Sequence, residues 1–255
     1  MKTRKPYTLL LAAMSVLLLA GCATQNEGKT DPKKAADLNV KLGVHYIQQG
    51  QLQLAKEKLE RAEKQDPGNF EVHWALAQLS EKLAKPEEAE RHYQIAMRLA
   101  PENSALINTY AVFLCTTQKV DKALPLLDGV ISDRLYPTPW AAATNAALCL
   151  RSDKRNADAA PYLERALNMR NDYEPAVIQM ADLQLDLGKS AVSRQVVDRY
   201  LALPRKSADV LVVGVRAALA QGDRAAAENY GRLLRRDFPS SSQAQALPQL
   251  LQPAK

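Results

Sequence analysis

The sequence predicts an all-α fold, a right-handed superhelix of about six stacked two-helix repeats, on three observations. First, the chain resembles itself at a period of 34 residues: Leu42 and Leu76, Ala55 and Ala89, Leu59 and Tyr93, Ala62 and Ala96, and Pro67 and Pro101 all stand that far apart. Second, aromatic residues make up only 5% of the 255-residue chain and Leu and Ala abound, whereas a strand-rich sandwich wants Val, Ile, Tyr and Thr. Third, 47% hydrophobic and 24% charged residues are ordinary globular proportions, which excludes a wholly disordered chain and a collagen-like fibre.

Residues 1–21 read as a removable leader. Lys2, Arg4 and Lys5 precede an uncharged apolar run, 8–20, which is short against the roughly 17–25 residues that span a bilayer. The run ends in Leu19-Ala20-Gly21-Cys22, which resembles the lipobox of bacterial lipoproteins. That resemblance implies cleavage before Cys22, a diacylglyceryl group on its thiol and an acyl chain such as palmitate on its new amine. The alternative is an ordinary secretory signal followed by a chance Cys. Several acyl chains anchor stably, at about 0.8 kcal/mol per buried CH₂, so the expected location is on a membrane without crossing it. Ala23 follows the Cys where a retention signal would place Asp, and the sorting pattern this resembles implies the outer membrane, facing the periplasm. The leader also takes three basic and no acidic residues with it, half of the net +6 charge, so the basic balance does not argue for nucleic acid as a partner. Residues 22–35 are polar and read as a lipidated tether with a reach of about 20 Å.

The repeats follow as 36–69, 70–103, 104–139, 140–173, 174–207 and 208–241, with a tail, 242–255, whose Leu247, Leu250 and Leu251 suit a short cap. The order of large, small and aromatic residues on a first helix, then small, large, small and Pro on a second, is the tetratricopeptide pattern. It is fullest in 36–69, where Leu42, Gly43, Tyr46, Ala55, Leu59, Ala62 and Pro67 all match. Gly43 and Ala55 let paired helices approach, the large residues fill the space between, and Pro67 ends a helix. Tyr136-Pro137 marks a two-residue insertion in the third repeat. Pro125 and Pro161 fall early in second helices, where a kink or a late helix start is expected. The fifth repeat is degenerate, with Ser193 and Tyr200 in place of small apolar residues, and in the sixth Gly214 and Gly231 replace large ones. Gly50, Gly188 and Gly222 fall at inter-helix turns, where positive φ is needed. One continuous solenoid is expected, because a lone helical pair leaves an apolar face bare.

Cys115 and Cys149 lie 34 residues apart on neighbouring first helices, although the insertion puts them at different register positions. Stacked helices lie roughly 8–10 Å apart and the periplasm is oxidising, so a disulfide clamping the third repeat to the fourth is expected. The alternative is two buried thiols packing as small apolar residues.

No chemistry of catalysis stands out. The nucleophile-elbow, P-loop, dinucleotide and zincin motifs are absent from the sequence. The three histidines, His45, His73 and His92, form no evident ligand set, and carboxylates such as Glu57, four residues before Arg61, read as solvated helix faces. The chain is expected not to be an enzyme, with no cofactor, no metal and no small-molecule substrate. Function is expected on the hollow face of the solenoid, lined by one stripe of its first helices. That stripe places Val40, Val44, Ile47, Trp74, Gln78, Glu81, Asn108 and Val112 there, with Cys115 beside them. Apolar side chains in a water-filled groove suit a docking amphipathic helix or extended peptide. Trp74 is the sharpest anchor, the alternative being that it packs inward and His73 faces out. Farther along, Arg151, Asp182, Asp186 and Arg216 make the stripe polar.

The lipobox, the repeats that start soon after it, Leu42-Gly43-x-x-Tyr46, Asn108-x-Tyr110-Ala111-x-Phe113-Leu114-Cys115, Tyr136-Pro137 and Asn145-Ala146-Ala147-x-Cys149 together resemble the type IV pilus biogenesis lipoproteins of the PilF/PilW family. The resemblance spans nearly the whole chain. It implies a pilotin or stabiliser that helps secretin subunits reach the outer membrane, or remain there as multimers, through protein–protein binding with the secretin and other pilus proteins. The alternative function is a tetratricopeptide scaffold lipoprotein of another envelope machine, serving β-barrel assembly or peptidoglycan enzymes.

Overall fold

A computed structural model describes residues 31–252. Among them are thirteen helices and no strand: α1 (Pro32–Gln48), α2 (Leu52–Gln65), α3 (Phe70–Lys82), α4 (Pro86–Leu99), α5 (Ser104–Thr116), α6 (Val120–Ser132), α7 (Pro139–Ser152), α8 (Asn156–Met169), α9 (Glu174–Asp186), α10 (Ser190–Leu201), α11 (Ala208–Ala220), α12 (Arg224–Asp237) and α13 (Ser242–Leu250). The expected all-α tetratricopeptide class is the class observed. The leader, 1–21, and Cys22 lie outside the described residues.

The chain divides into two compact units, Met1–Lys85 and Pro86–Lys255. A single continuous solenoid was expected, and the division falls inside the second sequence repeat, between α3 and α4. Residues 81–87 at this point are all exposed.

In the first unit, α1 packs on α2 and α3. Ala36, Val40, Ile47, Ala55, Leu59, Ala62, Val72, Ala75, Leu76 and Leu79 form its buried core. The approach of α1 to α2 depends on Gly43: a Cβ there would stand 2.6 Å from Leu59 Cγ, inside any tolerable contact. Residues 32–35, read from the sequence as the end of a tether, belong to α1. Pro32 is well suited to a first helical position, where its missing N–H is no loss, and Asp31 caps the helix by accepting from Lys33 N at 3.0 Å.

In the second unit, Tyr93, Tyr110 and Phe113 pack as an aromatic cluster, with Tyr93 5.2 Å from each of the other two ring centroids. A second core runs from Val177 to Leu247. Its glycines pack against large neighbours: Cβ atoms built at Gly214 and Gly231 would meet Tyr230 at 3.1 Å and Leu247 at 3.0 Å. The fully buried Leu247 belongs to α13, which covers α11 and α12. Neither Pro125 nor Pro161 delays its helix, since α6 and α8 begin five residues before them and run through. Both prolines are exposed, so the unpaired carbonyl one turn earlier reaches water.

All six helix-hairpin turns use one conformation. Gly50, Ala84, Gln118, Lys154, Gly188 and Gly222 have φ of 71°, 55°, 60°, 61°, 71° and 72°. At each turn the following N–H reaches back across the end of the helix, as in Lys119 N to Leu114 O at 2.8 Å and Lys189 N to Gln184 O at 2.7 Å. Three turns therefore hold a side chain in the left-handed region that glycine enters freely.

Candidate functional site

In the first unit α1 and α3 enclose an open pocket of about 370 Å³. Val40 and Val44 from α1 and Trp74 and Ala75 from α3 make its apolar surface. Polar groups ring it, with Lys41, His45 and Gln48 on one side and Glu71 and Gln78 on the other. The two helices contribute with the same spacing, 41, 45 and 48 against 71, 75 and 78, which is the i, i+4, i+7 period of one helical stripe.

The orientation of α3 decides what the pocket contains. His73 turns inward, where it is 5% exposed; its Nε2–H donates to Pro67 O at 2.9 Å and its Nδ1 lies 3.8 Å from Glu63 Oε1. Trp74 is thereby rotated into the pocket wall, half-buried, with its Nε1–H reaching no acceptor among the described residues. The alternative in which His73 faces out and Trp74 packs inward does not occur.

The predicted stripe is only partly assembled. Val40, Val44, Trp74 and Gln78 come together in the pocket. Ile47 is a core residue, 8% exposed, as Val40 is, but unlike Val40 it does not reach the pocket wall. Glu81 is exposed and outside the pocket wall. Asn108 and Val112 are in the second unit. Asn108 accepts from Asn145 Nδ2 at 3.1 Å, and Val112 lines a separate cavity of about 260 Å³ with Asn145, Leu148, Cys115 and Cys149. Sequence reasoning missed the rim residues Lys41, His45, Gln48 and Glu71. Their signal was present in the helical period: Lys41, His45 and Gln48 each follow a residue already singled out, and Glu71 lies one turn before Trp74.

Cys115 and Cys149 form a disulfide between α5 and α7, with Cα atoms 5.2 Å apart. The two-thiol alternative is not realised. Beyond it the polar stripe pairs with itself. Arg151 binds Asp186 at 2.7 Å and the Gln179 side chain, and Arg216 binds Asp182 at 2.6 Å.

Several tyrosines of the second unit have hydroxyls held protonated. Burial, reinforced by the Asp198 carboxylate that accepts its hydrogen bond, pushes Tyr230 up to about 12. Burial also raises Tyr110, Tyr162 and Tyr200. The Tyr162 and Tyr230 hydroxyls brace second helices of neighbouring repeats, as in Tyr162 to Asp128 at 3.0 Å; none of these tyrosines lies in the α1–α3 pocket.

Two tetratricopeptide repeat models match the chain, over residues 46–95 and 116–174. The type IV pilus assembly protein PilF of Pseudomonas aeruginosa is 31% identical over 242 residues, which cover 92% of this chain and 96% of that protein. A solved structure of Pseudomonas aeruginosa PilF superposes with a TM-score of 0.66 at 28% identity, covering 86% of this chain and 98% of the other. The crystal structure of PilW, described as a widely conserved type IV pilus biogenesis factor, gives a TM-score of 0.68 at 25% identity, with 84% and 98% covered.

Proposed function

The chain belongs to the family of the type IV pilus assembly protein PilF, and from that premise we propose that it is a lipid-anchored outer-membrane protein, facing the periplasm, that promotes assembly or stability of secretin multimers by holding a partner segment in the α1–α3 pocket. Its coarser role, a tetratricopeptide protein of type IV pilus biogenesis, follows from the family. The observation that carries the finer reading is the pocket itself: a half-buried indole and Val44 over the buried Val40 and Ala75, inside a polar ring. Large aromatic anchors in such settings carry a disproportionate share of binding energy. The ring supplies Lys41 and His45 opposite Glu71, so a segment with an apolar anchor and flanking charges of both signs fits it.

Cys22 supplies the anchor in this reading. The test is deletion of the gene, followed by complementation. Loss of SDS-resistant secretin multimers and of surface pili, with normal bulk porins, is the expected result. Lost porins with intact secretin multimers would move the protein to another envelope machine. Complementation with Cys22→Ala should yield protein that leaves the membrane fraction; full membrane retention would remove lipidation from the reading.

A further inference from the structure

The insertion in the third repeat builds a feature that neither the α1–α3 pocket nor the disulfide uses. Residues 133–138 join α6 to α7, and Leu135 stands there 92% exposed, whereas the other large apolar side chains at the surface of the described residues reach at most 60%. The loop that carries it is held in place. Asp133 Oδ1 accepts from Leu135 N at 2.8 Å, Asp133 Oδ2 from Ser104 Oγ at 2.5 Å, and Asp133 O from Tyr136 N at 3.3 Å. A side chain projected from a fixed loop gives up little freedom when a partner covers it.

Beside this knob lies a hollow of about 430 Å³, between the start of α5 and the second half of α6. Ile107, Pro125, Leu126 and Val130 line it, with Gly129 exposed among them. The glycine is the informative residue. It sits inside a helix, where glycine is costly, and its φ is not left-handed. The three other helical glycines among the described residues each seat a large side chain: Leu59 lies over Gly43, Tyr230 over Gly214 and Leu247 over Gly231. A Cβ built at Gly129 meets nothing within 4 Å. By the rule the chain follows elsewhere, Gly129 is a seat that no side chain of its own fold fills.

Charge and placement select the occupant. Arg134 is exposed next to the knob, and Glu102 is exposed where it lines the hollow. The knob is therefore flanked by a cation and the seat by an anion. Leu135 itself borders the hollow, so knob and seat adjoin on one face of the molecule. A face that carries a projection and a recess side by side, with opposite charges beside them, is complementary to its own copy turned through a half-rotation, which is the condition for an isologous contact.

We propose that this face binds a second copy of the chain, with Leu135 of each copy seated over Gly129 of the other and Arg134 of each copy paired with Glu102 of the other. All of these residues belong to the second unit, and the proposal does not depend on the function proposed for the α1–α3 pocket.

The test is sedimentation velocity of the chain from residue 23 onward, which keeps every described residue, at about 1–500 µM, the range in which a small interface assembles. A monomer–dimer equilibrium is expected. Leu135→Asp and Gly129→Leu should each weaken it at least about tenfold, with helical content by circular dichroism unchanged, because both positions face open space. Arg134→Glu and Glu102→Arg should each weaken it as well, and the two combined in one chain should restore it, since the pair re-forms with its signs exchanged. Leu135→Cys with Gly129→Cys, oxidised at the highest concentration, should give a covalent dimer on a non-reducing gel. A chain that stays monomeric throughout, a dimer indifferent to Leu135→Asp, a charge exchange that fails to restore association, or a cysteine pair that closes only within one chain, which would make the loop its own occupant, would each overturn the proposal.

Discussion

In the first unit, the stripe of first-helix residues opens into a pocket: Val44 and Trp74 stand half-buried at its wall, over the buried Val40. In the second unit the same stripe is occupied by its own bonds. The disulfide joins α5 to α7, Asn145 binds Asn108, and Arg151 and Arg216 are neutralised by Asp186 and Asp182. One repeat architecture thus carries two kinds of surface. Where the stripe is apolar and unlinked, its free energy is available to a partner; where it is crosslinked and charge-paired, that free energy holds the repeats together.

The disulfide carries the largest energetic difference between the two units. Cys149→Ser, or reduction of the wild type, should cost about 2–4 kcal/mol of stability, the range for closing a loop of this length, and the loss should appear in the second unit alone. Denaturant unfolding followed by hydrogen exchange of each unit checks this; equal loss of protection in α1–α3 would deny the division of labour. Next in size, Trp74→Ala should weaken partner binding by about 2 kcal/mol with helical content intact. An equally large fall in thermal stability, read by circular dichroism, would make Trp74 a core residue.

The hairpin turns give a smaller effect that both units share. Gln118→Gly and Lys154→Gly relieve a left-handed side chain and should each stabilise by about 0.5–1 kcal/mol, whereas Gly188→Ala should destabilise by a similar amount. Melting temperatures that move the other way would place the strain elsewhere. The smallest effect is on pH. Tyr230 is held protonated in the fold, its pKa raised from 10.0 to about 12. Its contribution is therefore complete below pH 10 and is lost as pH rises towards 12. Solvent around the exposed Asp198 carboxylate limits its size. Tyr230→Phe should flatten that alkaline loss in the second unit; an unchanged pH profile would show that the phenol's bond to Asp198 adds nothing.

The period of 34 was enough to predict the helical hairpins, because it records which residues must be small, large or turn-forming at each contact. Gly43 shows why: the residue type is dictated by a neighbour, Leu59, sixteen positions on in the same repeat. Gly50, Gly188 and Gly222 disclosed three left-handed turns. Ala84, Gln118 and Lys154 occupy the same register, yet their residue types carry no such signal. The groove was half legible. Val40, Val44, Trp74 and Gln78 were readable from the stripe, but the period could not tell that Ile47 turns into the core.

What the sequence determined by itself is the local repeat: helix, turn and the face each helix buries, all set by contacts within a few tens of residues. What only the tertiary structure decided is how neighbouring repeats meet. Cys115 and Cys149 are one period apart in sequence, but a pure repeat translation would hold equivalent positions a helix diameter away from each other. The two-residue insertion at Tyr136-Pro137 shifts the register, so that the sulfurs face each other across α5 and α7 with Cα atoms 5.2 Å apart. Likewise Tyr200 reads as a defect in a pattern until α8, α9 and α10 are packed around it. The reason is physical: a repeat specifies residue types through its own contacts, whereas a crosslink or a cavity depends on the offset between two repeats, which no single repeat encodes.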